Sequence, residues 1–254
     1  MMRRTRALLI AFLVGALYWG LTPTVSRPTT ESERTETARL IAILLDSGRT
    51  TIALNQPLIN DKARGDKGFT PEVFEQQLFV VFRERTGIDL ASLTQAQIPE
   101  MAKPLLKRLV EESKKTIASY QTVINLPGLA YKGLIPATFG TETAARFQVW
   151  SGIYLKQTAP SHLLRNPKNK PDEYELTVLE RLASSDRPQQ NDTTMSETLE
   201  REKAIRVILP LYYGKACLSC HGEPRGERDI TGYPREGGRE GELGGAISVK
   251  LPLQ

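Results

Sequence analysis

The sequence predicts an α+β protein: long helices in the first half, a sheet with shorter helices and loops in the second, and an export-type segment ahead of both. Three observations carry this prediction. Apolar residues recur at helical spacing as far as Ile124. After Pro127 the texture changes to short apolar stretches separated by turns. The chain also opens with a short basic stretch, Met1 to Arg6, followed by an apolar run from Ala7 to Leu21.

That opening has the layout of a signal peptide, and residues 1–25 are expected to be either a cleaved signal or an uncleaved membrane anchor. The run is shorter than the ~20 residues of a usual spanning helix. However, no small-residue cleavage site follows it, and Tyr18 and Trp19 suit a membrane interface. Both outcomes deliver the remainder to the periplasmic side of a bacterial inner membrane. Residues 26–35, rich in Thr, Ser, Pro and charge, read as a linker.

A first helix is expected from Glu36 to about Asn55, with Ala38, Ile41, Leu45 and Ile52 inward, then a loop to Gly68. A second is marked by Thr70 as cap, Pro71 at its first position and Gly87 at its end. A third runs from Pro99 to Ile124 along a stripe that includes Leu106, Leu109, Val110 and Ile117. Beyond Pro127-Gly128, strands are expected at Leu129–Ile135, Ile153–Thr158, Ala204–Tyr213 and Ala246–Leu251. Helices fall at Thr141–Trp150, with Ala144, Ala145 and Phe147 inward, and from Pro171 to Ala183. Ser184–Ser196 and Gly222–Gly245 read as loops, with the glycine-rich part after Tyr233 solvated. The folded part is then 36–254, helical over 36–126 and α/β over 127–254.

The net charge of +5 owes three units to Arg3, Arg4 and Arg6, and no basic stripe carries interleaved aromatics. Nucleic-acid binding is therefore not expected.

The chemistry concentrates in one window. The chain has two cysteines and two histidines, and three of those four residues form Cys217-Leu218-Ser219-Cys220-His221. Two thiols three residues apart can each add to one vinyl group of a haem, and the next histidine can bind its iron. This pattern reads as one covalent haem c. Three other readings compete. A redox dithiol usually opens a helix after a strand in a thioredoxin-like unit, which is not evident here. A zinc site would need His162 as its fourth ligand and both neighbours, Cys220 and His221, on one ion. A structural disulfide is poorly served by so short a spacing. For the sixth iron position, His162, Met101 and Met195 are candidates beside an open or water-filled site; the cysteine count leaves no thiolate.

Several blocks around this motif resemble the Tll0287-like family. They are Asn55–Asn60, Gly65–Glu72, Lys132–Phe139, Arg165–Asp172, Pro210-Leu211 with Cys217–Pro224, and Gly244–Val249. The resemblance implies a PAS-like antiparallel sheet with flanking helices that holds a c-type haem, often at the head of membrane-bound signalling proteins. It also implies Cys217 and Cys220 as thioether sites and His221 as iron ligand. Blocks 132–139 and 165–172 would line or brace the haem pocket. Pro136, Phe139 and Phe147 are candidate apolar contacts, with ordinary core packing an equal reading. Arg165 is a candidate partner for a haem propionate, or else fixes its own loop.

No kinase or cyclase module follows the last expected strand, so any output is expected to pass to a separate redox or signalling protein. The expected function is a haem-based redox or gas sensor that is not an enzyme. The alternative is a monohaem electron carrier.

Overall fold

A computed structural model describes residues 29–184 and 192–253. The expected signal or anchor at 1–25 and much of the 184–196 loop lie outside the described residues.

The first helix, α1, spans Glu31–Ile59. It begins inside the expected linker because Thr30 and Glu33 form a capping box, each satisfying a backbone N–H at the helix start. It also outruns its expected end, carrying Pro57 in its last turn. Tertiary contacts hold that turn: Ile59 is fully buried, and Gln56 Nε2 donates to Leu134 O at 3.0 Å. From Ala38 to Ile52 nearly every face of α1 is covered, so it is the central helix of the molecule. It packs on α2 (Pro71–Thr86), α3 (Ala102–Ile124) and α4 (Pro136–Ser151), and on two strands of the sheet.

Helix α2 follows the sequence reading: Thr70 Oγ1 accepts from the Val73 amide, and Gly87 closes it with φ of 72°. Leu129–Ile135 was expected as a strand but is a loop. Gly128 and Gly133 hold φ of 83° and 77°, values a regular strand does not use, and Pro136 then opens α4. Ala145, expected inward, is exposed, because α4 buries Phe139, Thr143, Ala144 and Phe147.

Among the described residues the sheet has four antiparallel strands: β1 (Tyr154–Thr158), β2 (Met195–Leu199), β3 (Ala204–Tyr212) and β4 (Leu243–Pro252), in the order β1-β4-β3-β2. This is the expected α+β architecture. Strand β2 was not foreseen; its sequence is polar and lacks alternation, as an edge strand allows. The central strands obey a period of two. Ile205, Val207, Leu209, Ile247, Val249 and Leu251 join the helical core on one face. Ile208 and Ala246 face Val178 and Leu179 of α5 (Glu173–Ala183) on the other. Arg206 shares that outer face, only 1% exposed, between the rings of Tyr154 and Tyr174 and 2.9 Å from Asp172 Oδ2.

The start of α1 is tied to the sheet. Arg34 Nη1 donates to Pro252 O at 2.9 Å, and Thr198 donates to Glu31.

Candidate functional site

The chain leaves β3 at Tyr212 and turns at once into the motif. A 3-10 turn, Lys215–Cys217, runs into a single helical turn, α6 (Leu218–His221). Helical geometry brings residues three apart onto one side of a turn, which groups Cys217 with Cys220. Both are free, partly exposed thiols. Burial pushes the Cys220 thiol pKa up, so that thiol is protonated at neutral pH. Ser219 Oγ donates to Ala216 O at 3.0 Å and steadies the turn.

His221 is the best-held side chain of the motif. Its Nδ1 lies 2.9 Å from Glu236 Oε2. A carboxylate can only accept, so Nδ1 carries the proton and the lone pair is on Nε2. Among the described residues Nε2 has no hydrogen-bond partner. The ring stacks on Tyr213 with centroids 4.9 Å apart and planes 20° apart. Burial and the nearby Arg165 charge hold the imidazole pKa below its ordinary value, which keeps it neutral.

Arg165 reaches in from the loop before α5. Its Nε donates to Glu236 Oε1 at 2.7 Å, Nη1 to Asp229 Oδ2 at 2.7 Å, and Nη2 to Cys220 O at 2.9 Å. It therefore fixes more than its own loop. Its fork is engaged by two carboxylates and by the motif backbone, which leaves little of it for a propionate. Tyr233 OH donates to Arg165 O at 3.1 Å and closes the loop on the other side.

The stretch expected as a solvated glycine-rich loop instead folds over the motif. Gly238 N–H donates to His221 O at 2.7 Å, and Gly241 N–H to Tyr213 O at 2.8 Å. The glycines give the Tyr213 ring its space. A Cβ at Gly238 would lie 2.7 Å from Tyr213 Cε2, and one at Gly244 would lie 2.4 Å from Tyr213 Cε1. Tyr131 stands within electrostatic reach of Asp229, Cys220 and Tyr233, and burial raises its phenol pKa.

The remaining candidates fall elsewhere. Phe139 is fully buried between α1 and α2, its ring 5.3 Å from that of Phe74 and against Gly48. Phe147 is fully buried in the same helical core. Pro136 opens α4 and is half-buried. His162 is exposed on the short Ser161–Leu163 turn, three residues before Arg165. Met101 packs on the helical core, and Met195 lies on β2 with its sulfur 4.0 Å from Arg181 Nη2. In the 165–172 block, Thr158 Oγ1 donates to Asn169 O at 3.1 Å and Thr141 Oγ1 to Asn169 Oδ1 at 3.0 Å, so Asn169 pins that loop to β1 and α4. Glu236, Asp229, Tyr213 and Tyr131 carry no signal in the sequence that marks them for the site.

The donor set fits a covalently held haem: two free thiols on one turn, then an imidazole with its Nε2 lone pair free. No group of three or more His, Cys, Asp or Glu suited to a metal ion occurs among the described residues.

An α+β chain with this braced turn meets its relatives here. The Tll0287-like family profile matches residues 27–252, and the chain belongs to that family. A solved structure described as that of the cyanobacterial heme-protein Tll0287 is 18% identical, with a TM-score of 0.41, covering 62% of this chain and 97% of its own. No curated protein matches the chain.

Proposed function

We infer that the chain is an exported haem protein that holds one haem c covalently through Cys217 and Cys220, binds its iron with His221, and serves as a redox or gas sensor without catalysis of its own. The observation that carries this reading is the 2.9 Å contact of His221 Nδ1 with Glu236 Oε2, which favours the tautomer with its lone pair on Nε2, in a motif that also carries two free thiols. The protein that gives the family its name is described as a heme-protein, which agrees.

Bound haem iron supplies a reversible one-electron couple and a site for a diatomic ligand. The chain's own residues do the rest. Cys217 and Cys220 prevent loss of the group, Tyr213 fixes the imidazole plane, and Arg165 ties the motif backbone to the sheet side of the molecule. The link that favours sensing is α1, which touches the Lys215–Cys217 turn, α2 to α4 and the sheet, and starts close to the N-terminal segment. That segment would deliver the chain to the periplasmic side, and a separate redox or signalling protein would receive the output.

Protein matured in a host competent for cytochrome assembly should give a pyridine haemochrome spectrum and the mass of polypeptide plus one haem. Colourless protein with the bare mass ends the reading. For sensing, the ferrous form should bind CO or NO; an inert six-coordinate iron counts against it. His162→Ala should leave the absorption spectrum unchanged if the sixth position is open, and alter it if His162 is the ligand.

Electron transfer is the second reading. Ala216 and Ser219 are exposed and both cysteines partly so, which places the motif at the surface where a partner can approach. Fast stopped-flow exchange with soluble redox partners would favour it, and sluggish exchange would remove it.

A further inference from the structure

We propose that Glu236 is a positioning residue that sets the electron affinity of the iron through His221, and that Arg165 opposes it by sharing the same carboxylate. This deepens the haem reading and rests on it.

The geometry is specific. Glu236 Oε2 stands 2.9 Å from His221 Nδ1 and also accepts from Arg165 Nη2 at 2.9 Å, while Oε1 accepts from Arg165 Nε at 2.7 Å. The Glu236 side chain is 18% exposed, so solvent screens the pair only in part. The Tyr213 ring and the Gly238 N–H bond to His221 O hold the imidazole where this contact is made.

A carboxylate bonded to the outer N–H of a metal-bound histidine raises the basicity of that ligand. A more basic ligand favours ferric over ferrous iron and lowers the reduction potential. Arg165 draws the same carboxylate toward itself and weakens this push. The two residues therefore act in opposite directions on one observable. A residue that merely held the fold together would not do so.

The test is equilibrium redox titration of the haem-loaded full chain. Glu236→Gln keeps the shape and removes the charge, and should shift the equilibrium about tenfold toward ferrous, about 59 mV upward for one electron. Glu236→Asp should return part of that shift. Arg165→Lys, which keeps a cation for buried Asp229 but lacks the fork that engages both Glu236 oxygens, should move the potential downward. In the haem-free full chain, nitrogen NMR should find His221 with its proton on Nδ1, and Glu236→Ala should move that proton to Nε2. A Glu236→Gln potential within about twofold of wild type, expressed as an equilibrium constant, overturns the proposal. So does a wild-type haem-free His221 protonated on Nε2. If no haem attaches to the wild type, the functional reading fails, and the NMR result still decides whether Glu236 sets the tautomer.

Discussion

The helical layer and the lobe that carries the motif are held together by different forces. Around α1 the fold rests on fully buried apolar side chains, among them Leu40, Ile41, Leu44, Phe74, Phe82, Phe139 and Phe147. Between residues 214 and 242 no buried apolar side chain occurs among the described residues; the buried side chain there is that of Asp229. The lobe is organised by Arg165, by backbone bonds such as Gly226 N–H to Arg235 O at 2.9 Å, and by Asp229, which accepts from Thr231. The helical layer should thus respond to lost volume, and the lobe to lost charge.

Phe139→Ala should have the largest effect, about 3–5 kcal/mol of global stability, since it removes a fully buried ring with neighbours on two helices. Urea unfolding followed by far-UV circular dichroism measures it; a loss below about 1 kcal/mol would contradict the packing described. Arg165→Met comes next. It strands the buried Asp229 charge and should cost about 3 kcal/mol, confined to the lobe. Limited proteolysis should then cut within 223–241 while the urea midpoint of the helical signal moves little. If the two move together, the lobe and helices are one cooperative unit.

Acid should separate the regions as well. For Asp229, burial alone would raise the pKa, but the Thr231 hydroxyl and Arg165 outweigh it and hold the carboxyl below its ordinary 3.8. For Glu236, burial is likewise outweighed by Arg165 and His221, which hold it below 4.5. Both groups bind protons more weakly when folded, so they stabilise the lobe fully above those values. That stability is lost as pH falls through the lower, folded ones; His221, whose imidazole pKa is also held down in the fold, binds a proton more readily when unfolded and so weakens the lobe already as pH falls below its ordinary 6.5. Hydrogen exchange at the Gly238 and Gly241 amides should rise there before exchange in α1 does.

Gly244→Ala should cost about 1–3 kcal/mol, because the added methyl meets the Tyr213 ring. It should also change the near-UV dichroism of the tyrosines. Val149→Ser is the smallest, within about 0.5 kcal/mol, since Val149 is 90% exposed.

The same division explains what the sequence revealed. Features written in neighbouring residues were legible: the Thr70, Pro71 and Gly87 signals of α2, the alternation of Ile205, Val207 and Leu209 in β3, and the motif itself. Features that depend on distant partners were not. The Arg165 guanidinium is claimed by Asp229 and Glu236, far along the chain, and nothing local to Arg165 announces them. The last turn of α1 was hidden because Pro57 reads as a breaker while the burial of Ile59 decides the outcome. The glycines at 238 and 244 look like slack in a loop; their role shows only once the Tyr213 ring lies against them.

The notch at Gly48 has a mechanical consequence. The Phe139 ring sits where a side chain on α1 would project, with Cε1 2.5 Å from the position of a Cβ there. That ring indexes α1 against α4 and opposes spin about the helix axis. Any displacement that reached α1 would be left with tilt or axial slide. On a rod of 29 residues, about 43 Å long, a tilt of about three degrees moves one end by about 2 Å.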